Sequence, residues 1–117
     1  MILIVEDEKA IREGYFDILS HEGFNIILAS DGVQGIERLT ENKDISLILT
    51  DWSMPKMDGL EMVKKIRDME EYKYLKIVVI SANSDVPKAF KGLTDRFIGK
   101  FGIWESLGSR VREHYEL

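Results

Sequence analysis

The sequence predicts an α/β domain in which a five-stranded parallel sheet is doubly wound, with helices on both faces. Three observations carry that prediction. Short apolar runs recur along the chain, amphipathic stretches of helical period separate them, and 117 residues suffice for one such domain but not two. The runs are continuous rather than alternating and rich in β-branched residues, as strands buried on both faces are. A βα alternation of this kind gives parallel strands, because right-handed crossovers return each strand in the same direction.

The first strand is Ile2–Val5, followed by acids. Ile11, Tyr15, Ile18 and Leu19 share one face of a first helix, and Gly23 stands where a helix-terminating glycine belongs. Phe24–Ala29 is the second strand. Ser30 and Asp31 are candidate N-caps for a second helix whose apolar positions are Val33, Ile36 and Leu39. Leu47–Leu49 is the third strand, and Leu60, Met62, Val63, Ile66 and Met69 mark the third helix. Ile77–Ile80 is the fourth strand. Asp85–Leu93 is a short, poorly patterned helix candidate in which Pro87 is tolerated only in the first turn. Phe97-Ile98 is a weaker fifth strand, and Ile103, Leu107, Val111 and Tyr115 step by four along the last helix.

Composition removes several function classes. With no cysteine there is no disulfide framework, thiolate metal site or cysteine nucleophile, and the two histidines, His21 and His114, exclude a multi-histidine metal centre. Sixteen basic against 21 acidic residues give a net charge of −5, and no basic stripe is present, which argues against direct nucleic-acid binding. The apolar runs are too short for a signal peptide or a membrane span, so a cytoplasmic protein with no membrane partner is expected.

A doubly wound sheet places its ligand site at the carboxyl ends of its strands, near the switch in strand order. Glu6, Asp7 and Glu8 follow strand one, Asp51 strand three, Ser81 strand four and Lys100 strand five. Taken singly, each has a plainer explanation: acids after a strand are often solvated or cap the next helix, and Asp51, Ser81 and Lys100 are ordinary as a turn residue, a strand-end hydroxyl and a surface charge. Their joint placement at four strand ends singles them out. Carboxylates held together repel, so one is protonated or a cation sits among them. Mg²⁺ suits a site built from one or two carboxylates with waters and a phosphate. Lys100 adds a charge for an anion and Ser81 a hydroxyl donor, which together make a phosphoryl site around a carboxylate nucleophile.

Three segments resemble response-regulator receiver domains. Val5-Glu6-Asp7-Glu8 is similar to that family's acidic start, Asp51-Trp52-Ser53-Met54-Pro55-Lys56-Met57-Asp58-Gly59 to its signature, and Ser81-Ala82 to the dipeptide closing strand four. The spacings agree, with 44 residues from Asp7 to Asp51 and 30 from Asp51 to Ser81, and the likeness spans essentially residues 1–117 as a single domain. The resemblance implies a flavodoxin-like (βα)5 fold with strand order 2-1-3-4-5. It implies a phosphorylation-activated switch of a two-component system, in which Asp51 accepts a phosphoryl group from a histidine kinase or a histidine phosphotransfer protein and alters an output face read by a downstream protein target. The chain would then be no enzyme beyond its own phosphorylation and dephosphorylation. Glu6, Asp7, Asp51 and the backbone carbonyl of Ser53 are implied ligands of Mg²⁺. Lys100 would pair with the phosphoryl oxygens, Ser81 would hydrogen-bond them, and Phe97 would change rotamer as Ser81 moves. Ser53 and Asn83 occupy the positions that tune access of water to the acyl phosphate.

The chain departs from the family pattern in two places. Lys100 is followed by Phe101 where the family has proline, and a non-proline cis bond costs roughly 3–4 kcal/mol, so a trans peptide is expected. Ser81 and Lys100 are 19 residues apart, about three fewer than usual, so a shortened fourth helix is expected between Asn83 and Leu93, further weakened by Gly92 at about 1 kcal/mol relative to Ala. Trp52 and Trp104 either report on a site or cover apolar surface, while Tyr72 and Tyr74, with Glu70 and Glu71, read as a solvated helix end. A flavodoxin-type nucleotide or flavin binder is the alternative on the same sheet. It needs phosphate-cradling Gly, Ser or Thr after strand one, where this chain has three acids. A small-phosphoester hydrolase built on an aspartyl-phosphate would want a second acid two residues after Asp51, where Ser53 stands.

Overall fold

Strand residues that alternate between two apolar layers leave no face of the sheet for water, and this chain builds its sheet that way. In a computed structural model describing residues 1–81, 88, 90–94, 96–99 and 103–116, the strands are β1 (Ile2–Val5), β2 (Ile26–Ala29), β3 (Leu47–Thr50), β4 (Lys76–Ser81) and β5 (Arg96–Gly99). All neighbouring pairs are parallel, in the order β2-β1-β3-β4-β5. The strand order implied by the resemblance is thus the observed one. The helices with given bounds are α1 (Lys9–His21), α2 (Gly32–Glu41), α3 (Gly59–Arg67) and a C-terminal helix, numbered α4 here (Ile103–Glu116).

Odd and even strand positions feed different layers. Leu3, Val5, Ile48, Ile77 and Val79 pack with Leu39 of α2 and Met62, Val63 and Ile66 of α3. Ile2, Ile4, Leu47, Leu49, Val78, Ile80 and Ile98 pack with Tyr15 and Leu19 of α1 and Leu107 and Val111 of α4. Burial of each aliphatic side chain contributes roughly 1.5–3 kcal/mol, so these two layers hold the fold. The strand order reverses between β1 and β3, and the crevice at their carboxyl ends is where such a sheet binds its ligand.

Local signals behave as their chemistry requires. Gly23 takes φ +92 after α1, and its amide and that of Phe24 close on Ser20 and Leu19. Of the two candidate caps of α2, Asp31 is the one used, accepting from the Gln34 amide at 2.9 Å. Asp58 caps α3 likewise through Glu61 at 2.9 Å.

Several expectations need correcting. β2 begins at Ile26, not Phe24, and α3 ends at Arg67, with Met69 instead preceding a short 3-10 turn over Glu70–Tyr72. Tyr72 is half-buried, its hydroxyl donating to the Leu39 carbonyl at 3.3 Å, so only Tyr74 fits a solvated end. Val33 is exposed, because a spacing of three drifts off the buried stripe of a 3.6-residue helix. Gly92 sits in a turn at φ +79 rather than in a helix interior. Most of the helix candidate Asp85–Leu93 lies outside the described residues, as do Asn83, Lys100 and the Lys100-Phe101 peptide.

At the amino ends of β4 and β5 a single side chain gathers three segments. Arg67, the last residue of α3, donates from Nε to the Leu93 carbonyl at 2.7 Å and from Nη1 to the carbonyls of Leu75 at 2.7 Å and Tyr72 at 3.0 Å.

Candidate functional site

The β1 ladder continues one residue past the strand, since the Glu6 amide donates to the Ala29 carbonyl at 3.1 Å. Glu6 is consequently 1% exposed. Its carboxylate accepts the Glu8 amide at 3.2 Å, folding the acid loop back on itself. Arg12, one turn into α1, donates to the carbonyls of Glu6 at 2.8 Å and Asp7 at 3.3 Å. Glu8 occupies the N-cap position of α1 but makes no side-chain cap bond. Helix capping therefore does not explain this acidic run.

β3 delivers Asp51 in the same manner. The Asp51 amide donates to the Val5 carbonyl at 3.1 Å, so the carboxyl ends of β1 and β3 stay in register through the acids. The Thr50 hydroxyl donates to the Asp51 carbonyl at 2.9 Å, and the Trp52 amide donates to Asp51 Oδ1 at 2.7 Å, orienting the carboxylate. Glu6, Asp7 and Asp51 each place a carboxylate oxygen within 4.8 Å of the other two. Glu6 and Asp51 are buried and Asp7 is exposed. Three like charges this close repel in proportion to how little water separates them, and a cation between them converts repulsion into attraction. An all-oxygen, all-carboxylate donor set of this kind fits a hard divalent ion such as Mg²⁺.

The loop from Trp52 to Asp58 covers one side of the cluster and is tied down at both ends. The Gly59 amide donates to the Trp52 carbonyl at 2.7 Å, and a Cβ at Gly59 would run into the Asp51 carbonyl oxygen. Gly59 is therefore required for close approach and not for a positive φ. Farther along, the Gly32 amide at the start of α2 donates to the Met57 carbonyl at 3.0 Å, and a Cβ at Gly32 would lie 2.6 Å from that same oxygen.

The remaining predicted residues distribute as follows. Ser81 is buried at the end of β4, two residues beyond Val79, the register partner of Thr50, and so at the same edge as Asp51. Gly99 pairs with Ser81 and Phe97 with Val79; the Phe97 side chain, like Lys100 and Asn83, lies outside the described residues. Ser53 is exposed in the loop directly after Trp52. Trp52 is half-buried, its ring edge-to-face with buried Phe90 at 5.7 Å and 85°, so it belongs to the apolar layer beside the site. Arg12 and Thr50 were not singled out by sequence, and Asp31 was singled out only as a helix cap. Arg12 had a signal, a cation one turn after an acidic loop, which Lys9 shares, whereas the Thr50 hydroxyl bond and the pairing of Asp31 with Lys56 are contacts that only the folded chain reveals.

Comparison with known proteins agrees with this geometry. The family profile described as "Response regulator receiver domain" matches residues 2–100. A chemotaxis protein CheY homolog of Campylobacter jejuni is 33% identical over 103 residues, which cover 85% of this chain and 79% of that protein. CheY1 of Helicobacter pylori is 34% identical over 103 residues, covering 85% and 83%. The response regulator MprA of Mycobacterium leprae is 34% identical over 114 residues, 95% of this chain but 49% of that protein. Among solved structures, the response regulator TrrA of Thermotoga maritima, in complex with Mg(2+)-BeF, superposes with a TM-score of 0.85 at 28% identity, covering 96% of each chain. These matches show that the chain belongs to the response regulator receiver domain family, phosphorylation-activated switches of two-component signalling.

Proposed function

We propose that Asp51 is the phosphoacceptor of this switch and that Glu6, Asp7, Asp51 and the Ser53 carbonyl hold Mg²⁺ during the transfer. The observation that carries the proposal is the approach of three carboxylates to within 4.8 Å at the switch point of the sheet. An Asp51 carboxylate oxygen attacks the phosphorus of a phosphohistidine, and the P–N bond to the donor breaks as the acyl phosphate forms. The Trp52 amide holds that carboxylate in place, which is the positioning on which phosphoryl transfer chiefly depends. When bound, the metal offsets charge on the transferred group. Lys100 pairs with the phosphoryl oxygens and the buried Ser81 hydroxyl donates to them; the drawing-in of Ser81 opens space for Phe97. The product adds about −1.5 to −2 charge at one point, and it biases two packings only as far as it stabilises one over the other.

The donor is a histidine kinase or histidine phosphotransfer protein, the recipient of the signal is a downstream protein, and the whole chain acts as one cytoplasmic receiver without direct contact to nucleic acid or membrane. Among the described residues no helix is long and apolar enough to cross a membrane. Exposed Ser53 leaves water a path to the acyl phosphate, so the protein also dephosphorylates itself. Acetyl phosphate with Mg²⁺ is expected to add one phosphoryl group to the wild-type chain and none to Asp51→Asn. Equal labelling of that variant overturns the assignment.

A further inference from the structure

Lys56 is the one non-glycine residue at positive φ among the described residues, at +65. It is the centre of a three-residue turn, because the Met57 amide donates to the Pro55 carbonyl at 2.7 Å. A turn closed over three residues about a positive central φ is a rare and strained conformation, and strain of that sort persists only where the surroundings impose it. Two contacts reach this turn, and both come from the start of α2. The Gly32 amide holds the Met57 carbonyl at 3.0 Å, with glycine giving the close approach. Asp31 Oδ2 forms an ion pair with Lys56 Nζ at 3.8 Å, while its Oδ1 caps the helix through Gln34. The Asp31 side chain is 4% exposed and the Lys56 side chain 69%, so the pair is anchored from the side of the capping carboxylate.

From this geometry we infer that Asp31 is a positioning residue for the phosphoryl site. By holding Lys56 in its strained turn, it fixes the path of the loop that runs from Asp51 through Ser53 to Met57. Asp31 touches neither the metal nor the reacting atoms. The inference rests on the assignment of Glu6, Asp7, Asp51 and Ser53 as the Mg²⁺ site, and the test separates the two.

Asp31→Asn keeps the N-cap, since Asn and Asp cap equally well, and removes the negative charge that faces Lys56 Nζ. Hydrogen exchange at the Met57 amide in metal-free protein reads the turn directly, and Mg²⁺ titration followed by Trp52 fluorescence reads the site. The variant is expected to exchange faster at Met57 and to bind Mg²⁺ up to about fivefold more weakly, the scale of an ion pair with an exposed partner, at unchanged thermal midpoint. Glycine adopts a positive φ without penalty, so Asp31→Asn with Lys56→Gly is expected to recover the Mg²⁺ affinity. The inference is overturned if Asp31→Asn leaves Met57 exchange or Mg²⁺ affinity unchanged, or if Lys56→Gly fails to rescue it. A wild-type chain indifferent to Mg²⁺ sinks the metal-site assignment and this inference with it, whereas failure of the inference alone shows only in the variants.

Discussion

Asp7 differs from the two acids beside it in being open to water, and that difference sets what its removal does. Glu6 and Asp51 are folded into backbone hydrogen bonds, so replacing either disturbs more than charge. Asp7→Asn relieves like-charge repulsion at under 4.8 Å, at little structural cost. It is expected to raise the stability of the metal-free protein by about 1 kcal/mol, the Coulomb energy of a water-exposed pair, and to abolish stabilisation by Mg²⁺. Urea denaturation with and without Mg²⁺ checks both; lower stability of the variant in EDTA counts against a strained, repelling cluster. The acid cluster was legible in the sequence because topology alone brings strand ends together. Asp31 was legible as a helix cap, but its pairing with Lys56 was not, since an ion pair across two loops leaves no periodicity. Gly59 is a letter of the motif in the sequence, and only what lies opposite it, the Asp51 carbonyl, shows that its missing Cβ is what matters.

At the level of elements, the strands and the four helices α1 to α4 could be read because each strand is apolar on both faces and each helix buries one stripe. Boundaries were less legible wherever a tertiary contact decides them. α3 stops at Arg67, whose side chain takes the carbonyls of Leu75 and Leu93, and nothing local in residues 64–69 announces these contacts. The C-terminal helix α4 is held by two different kinds of contact. Leu107 is fully buried against α1 and the sheet. Arg112 donates to both the carbonyl and the carboxylate of Glu22, at 2.9 and 2.8 Å, and lies over the Phe24 ring, but the pair is half open to solvent. Burial should dominate. Leu107→Ala is expected to cost about 2–5 kcal/mol, and Arg112→Ala under about 1 kcal/mol. Chemical denaturation of both variants tests this, and a larger loss at Arg112 would assign the docking of α4 to charge instead.

For the molecule as a whole, a cation that binds the native acid cluster and not the unfolded chain must stabilise the fold. At a Mg²⁺ concentration a hundred times its dissociation constant the gain is about 2.7 kcal/mol, which raises the thermal midpoint of a domain this size by roughly 10 °C. The midpoint is expected to climb with Mg²⁺ in the wild type and stay flat in Asp7→Asn; a flat wild-type curve is the contrary result. The parallel strands carry an apolar layer on each face, and all of their carboxyl ends lie at one edge. That same one-way run of the strands has a practical side. Because every carboxyl end faces one rim, the rim behind it, where Arg67 knots three segments and Tyr74 stands 89% exposed, offers a handle: a dye or fused reporter attached there rides the full height of the sheet away from the acids.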